Sequence, residues 1–167
     1  MNHSYPNHNN SGPPTGPSRS SVSVFPPPKL QDLAREARSV IFETKTVFLF
    51  DLFPNTLTIC PNRITITDHG FLYSDEYPLP IEVITGARLY KTLLFASLTI
   101  ETFGYRKPPP LKYLKTHHAR LARRYILALI ECHRQNIDLS RYHPTKLRLL
   151  LKEIGMVREG QLKGHQL

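Results

Sequence analysis

Cysteine is scarce in this 167-residue chain: Cys60 and Cys132 lie far apart and form no CxxC pair. Such spacing carries neither a disulfide framework nor a thiolate metal pattern, and both residues read as small buried side chains in a reduced compartment. Long apolar runs are also missing, and none approaches the about 20 residues a membrane-spanning helix needs. The opening MNHSYPNHNNSGPPTGPSRSS lacks the apolar stretch of a secretory signal. A cytoplasmic protein is therefore expected, with the inner face of the membrane as the alternative, peripheral location. Glycine-rich phosphate loops, paired carboxylates and a nucleophile beside a base are absent as well, so the reading is of a protein that is not an enzyme and has no cofactor.

Histidine is plentiful by comparison, with eight in the chain, yet their placement argues against a metal centre. His3, His8 and His165 fall in terminal tails and His69 in a turn. His118 and His133 are 15 residues apart, about 22 Å along a helix at 1.5 Å per residue. Adjacent His117 and His118 project about 100° apart and do not share an ion readily.

What the chain does have is an uneven positive charge. The net charge is +9, and residues 106–167 hold fourteen basic against four acidic residues, whereas 61–105 hold three against five. A one-sided basic surface favours an anionic partner through attraction that salt screens.

Order along the chain follows from composition. Residues 1–28 mix seven prolines with Ser, Asn, His and Gly, and read as a disordered tail in which FPPP is either a polyproline ligand or a stiff linker. Residues 29–39, KLQDLAREARS, carry Leu30, Leu33, Ala34 and Ala37 at helical spacing behind Pro28 and read as a short helix. From Ile41 the texture becomes β-branched and aromatic: VFLFDLF, TLTIC, RITIT, FLYSDEY, PIEVITGARLY, TLLFASLTIETFGY and PLKYL read as about seven strands. Pro54-Asn55 and Pro61-Asn62 stand where antiparallel strands must reverse. The period then changes to 3.6. Ala119, Ala122, Ile126, Leu129, Ile130 and His133 form one stripe of a helix over 116–136, with Thr116 as its N-cap. In 139–167, PTKLRLLLKEIG predicts a second, shorter helix that starts at Pro144 and stops at Gly155.

Seven short strands closed by one helix is the element order of the pleckstrin-homology-like (PH-like) fold. The block from IEVITGARLY through LLFASLTIE to LKYLKTHHARLARRYILALI resembles the second half of bacterial PH-like domains, and DLFPNTLTI with RITI resembles the opening hairpin of a group of uncharacterised bacterial proteins of this type. The likeness covers roughly residues 40–136 of a domain placed at 40–138. It implies a mainly β fold with α: a barrel, or orthogonal sandwich, plugged by its C-terminal helix and flanked by short helices. Function in such scaffolds is carried by grafted sites, so the resemblance implies a binding module more than an activity. One departure bears on the ligand. PH domains that hold phosphoinositide head groups carry several bases around the first loop, and here that loop, DLFPNT, has none.

The candidate contact face for an anionic partner is therefore the basic C-terminal third: Lys112, Lys115, Arg120, Arg123, Arg124, Lys146, Arg148 and Lys152. Arginines opposite a buried stripe are expected to project outward, and the plainest role for them is a solvated face. Three partner classes follow. A protein or peptide could add as a strand to an open sheet edge. An anionic membrane surface could meet the LRLLLK helix. A nucleic acid could use Tyr105, Tyr113, Tyr125 and Tyr142 among the bases. No small-molecule substrate is evident.

Overall fold

The computed structural model describes Met1 and residues 39–47 and 51–164. The expected tail over 2–28, the expected helix over 29–38 and the middle of VFLFDLF lie outside these; the described ends of that run, Val47 and residues 51–53, are not the expected strand, because the first strand lies ahead of it at Phe42–Lys45.

Two antiparallel sheets follow each other along the chain. The first is a meander of β1 (Phe42–Lys45), β2 (Thr56–Ile59), β3 (Arg63–His69) and β4 (Ser74–Pro80). The second contains β5 (Ile84–Lys91), β6 (Phe95–Thr102) and β7 (Leu111–Lys115). Register explains the core. Leu57 faces Ile66, Ile59 faces Ile64, and Ile64 faces Leu79, so alternation puts all five on one buried face. Leu98, Ile100, Leu111 and Leu114 do the same for the second sheet.

Both proline-asparagine pairs fall between strands. The first does more than reverse the chain: Asn55 N–H donates to Thr46 Oγ1 at 2.8 Å, and Asn55 Oδ1 accepts from His69 N–H at 2.9 Å. One side chain thereby ties the β1–β2 turn to the β3–β4 hairpin. At the second pair, Ile81 N–H donates to the Asn62 carbonyl at 3.2 Å, where a 3-10 turn over Ile81–Val83 leads from the first sheet to the second.

Three expectations need correction. The sheets do not close into a barrel; on the far side, among the described residues, one backbone bond, Val47 N–H to the Tyr113 carbonyl at 3.0 Å, joins the end of β1 to β7. The reason is local. Tyr113 has φ 56°, in the left-handed region, and the β6–β7 register slips between Ala96 and Leu98, so β7 cannot offer a regular ladder. Second, PIEVITGARLY is not one strand, because Pro80 ends β4 and the 3-10 turn over Ile81–Val83 separates it from β5, and Phe71, Leu72 and Tyr73 form an exposed hairpin tip ahead of β4. Third, the last helix passes straight through Gly155 and, at 21 residues against 19, is the longer of the two and not the shorter.

The helix α1 (Thr116–Arg134) lays Ala119, Ala122, Ile126, Leu129 and Cys132 against strands of both sheets. Thr116 is its first residue rather than a side-chain cap. The helix α2 (Pro144–Gly164) packs on α1 through Leu147, Leu151, Gly155 and Glu159, an unbroken i+4 series that is buried throughout. A Cβ on Gly155 would lie 2.2 Å from the Arg124 carbonyl oxygen. The glycine serves a close helix crossing and does not end the helix. Among the described residues no helix is long and apolar enough to cross a membrane.

Candidate functional site

The eight basic residues do not form one face. Lys112, Lys115 and Arg120 are exposed on β7 and the first turns of α1, and Lys146, Arg148 and Lys152 are exposed on α2. Arg148 Nη2 donates to the Val40 carbonyl at 2.9 Å. Arg123 and Arg124 are half-buried beneath α2, contrary to the outward projection expected of them. Both end on Glu159, which is 7% exposed: Arg123 Nη1 reaches Oε1 at 3.1 Å and Arg124 Nε reaches Oε2 at 2.9 Å. Two cations share one carboxylate there, which fixes α2 on α1 and withdraws both arginines from solution.

Arg123 has a second engagement. Its Nε donates to the Ala87 carbonyl at 3.0 Å, on β5. The strand order β5-β6-β7 makes β5 an edge, and the pleat that aims the Ala87 carbonyl outward also aims its N–H and both main-chain groups of Leu89 to the open side. Beside this edge runs a groove of about 520 Å³, floored by Ile84 and Ala87, walled by Leu127 and Ile130 of α1, and closed at one end by Arg158 and Leu162 of α2. A bulge between Ile84 and Gly86 bends the strand at its entrance. A Cβ on Gly86 would lie 2.7 Å from Glu101 Oε2, so a larger residue here would make the Glu101 side chain shift.

Several charges around the groove are paired. Arg88 meets Glu101, and Glu131 Oε2 lies 3.2 Å from Arg158 Nε and 3.7 Å from Arg134 Nη1. Glu131 Oε2 is buried and makes no hydrogen bond of good geometry, so these two guanidinium groups hold it by charge. Such a groove offers an apolar floor and outward-facing main-chain groups on β5, of which the Ala87 carbonyl is taken by Arg123 and the others have no backbone partner among the described residues; this suits an extended chain better than a compact anion.

Four other titratable groups have packing or turn-closing contacts. Burial pushes both the Cys60 and the Cys132 thiol up; nearby Arg63 opposes the effect at Cys60 and Glu131 adds to it at Cys132. Asp138 is held below the usual carboxylate range by hydrogen bonds from Ser140 and Arg141, which close the 3-10 turn over Leu139–Arg141. His118 Nδ1 lies 3.1 Å from Thr44 Oγ1 with its ring edge-on to Phe42. Among the described residues no three His, Cys, Asp or Glu side chains converge as metal ligands.

Reading the sequence missed Glu159 and the groove. The signal for Glu159 was present, because it continues the Leu147, Leu151, Gly155 series by one more step of four. The groove had no such signal, since it depends on how α1 lies across the β5 edge. Comparison with protein-family models, with curated proteins and with solved structures finds no match to this chain.

Proposed function

We propose that this chain is a non-catalytic PH-like interaction module that takes an extended peptide as an added strand along β5, in the groove between that edge and α1. One observation carries the reading: β5, which has no strand partner on its outer side among the described residues, lies beside a groove of about 520 Å³ with an apolar floor, and the main-chain groups of Ala87 and Leu89 along that edge face outward, with Arg123 holding the Ala87 carbonyl. Main-chain hydrogen bonds would supply affinity, and the pockets for alternate side chains would supply selectivity. Four strands, three strands and then a helix that touches both sheets support the PH-like part of the reading. Docking on lipid through α2 has less in its favour, because Leu147 and Leu151 are buried against α1 and the helix would have to leave the domain to present them.

The test begins with peptides selected from a random displayed library against the full chain. Titration of a selected peptide into isotope-labelled protein should shift the Ala87 and Leu89 amide resonances most and slow their hydrogen exchange. Shifts centred on other elements, with the β5 edge unchanged, would overturn the proposal.

A further inference from the structure

The turn between β5 and β6 is rigid, yet it carries bare leucines. Thr92 N–H donates to the Phe95 carbonyl at 2.8 Å and Thr92 Oγ1 donates to the same oxygen at 2.9 Å. This closes a tight hairpin whose tip holds Leu93 at 97% and Leu94 at 70% exposure, with Tyr90 at 72% beside them. Two adjacent leucines at a fixed tip cost hydration free energy that the fold itself does not recover.

Lysines stand at the base of this hairpin. Lys91 stands at its base opposite Ala96, and Lys115 stands opposite Phe95 in the β6–β7 register. Both are exposed, and neither is ion-paired among the described residues. Lys45 lines one surface depression together with Lys115 and His118, and its only ion-pair partner among the described residues, Glu43, is 3.9 Å away. An apolar point with lysines at its base matches the depth profile of an anionic bilayer surface, where hydrocarbon lies beneath a layer of phosphates.

The other bare hairpin supplies the contrast. Phe71, Leu72 and Tyr73 are also exposed at the β3–β4 tip, but Asp68, Asp75 and Glu76 flank them. The same apolar signal with the opposite charge would be repelled by such a surface.

We propose that the β5–β6 hairpin docks on an anionic phospholipid surface, with Leu93 and Leu94 entering the interfacial region and Lys91, Lys115 and Lys45 facing the phosphates. This surface shares no residue with the β5–α1 groove, so it stands or falls separately from peptide binding.

Flotation of the full chain with vesicles containing about 30% phosphatidylserine, against vesicles of phosphatidylcholine alone, tests the inference. Binding is expected only with the anionic vesicles, and it should fall between about 25 and 150 mM salt. Leu93→Ser with Leu94→Ser should lower partitioning at least tenfold. Lys91→Ser should lower it roughly fivefold, the worth of one lysine near such a surface. Phe71→Ser with Leu72→Ser should leave it unchanged. Because the chain has no tryptophan, Leu94→Trp adds a direct reporter, whose emission should shift to the blue with anionic vesicles alone. Absence of flotation, or flotation and emission indifferent to the β5–β6 tip, would overturn the proposal.

Discussion

Gly155 of α2 lies directly against the main chain of Arg124 in α1, with a hypothetical Cβ only 2.2 Å from the carbonyl oxygen and 2.7 Å from the carbonyl carbon. Backbone cannot give way as a side-chain tip can, so any larger residue must push the helices apart. Gly155→Ala is therefore expected to destabilise the fold by about 1–3 kcal/mol, the usual cost of overpacking, despite alanine's better helix propensity. Gly160 provides the comparison on the same helix. It has nothing within 4 Å of its Cβ position, and Gly160→Ala should stabilise by about 0.5–1 kcal/mol. Denaturant unfolding of the two variants should move in opposite directions.

The same crossing holds the Glu159 carboxylate between Arg123 and Arg124. Removing it leaves two guanidinium groups under α2 with no counter-charge. Breaking a fully buried pair costs about 3–5 kcal/mol, and the partial exposure of these arginines brings the expectation for Glu159→Ala to about 2–3 kcal/mol. The loss should be read both as a lower unfolding midpoint and as faster amide exchange across α2, because that helix loses its anchor before the sheets are affected.

Hairpin order and the α1 stripe were legible because each depends on neighbours in sequence. Alternation in RITIT and the period of Ala119, Ala122, Ile126 and Leu129 are local, and the structure keeps both, although Ile130 is only partly buried and His133, expected on the same stripe, is exposed where Cys132 faces the core instead. Closure of the sheets was not legible. It turns on the backbone at Tyr113, a residue with no compositional sign of a positive φ. The basic face was misjudged for a related reason: Arg123 and Arg124 look solvent-facing on an isolated α1, and their burial is decided by Glu159, 35 residues further along the chain from Arg124. Gly155 likewise looked like a helix end until a second helix was placed against it.

The buried cysteines make a prediction about pH and reactivity. Each thiol titrates higher in the folded chain than in the unfolded one, so folding favours the protonated form. For a group whose folded pKa is raised, the stabilising contribution is complete below the unfolded value, near 9.0, and is lost as the pH rises through the folded value. Stability should therefore decline on the alkaline side of about pH 9, and Cys60→Ala with Cys132→Ala should remove that part of the decline. A disulfide exchange reagent at pH 8 should react with neither thiol in the native protein and with both in denaturant.

Asn55 tests whether the turn residues do more than permit a reversal. The proline-asparagine pair explains a break in the strands, and serine or glycine at position 55 would allow the same path. Only a side-chain carbonyl there can also accept from His69 N–H, at 2.9 Å, and so join two hairpins that are otherwise connected through β2 and β3. Asn55→Ala leaves that partly buried N–H without a partner, at a cost of about 1–2 kcal/mol. Asn55→Asp keeps an acceptor and should recover most of the loss. Amide exchange at His69 should accelerate in the alanine variant and not in the aspartate one; equal exchange in both would mean that the turn conformation alone, and not the link to His69, sets the stability of this end of the sheet.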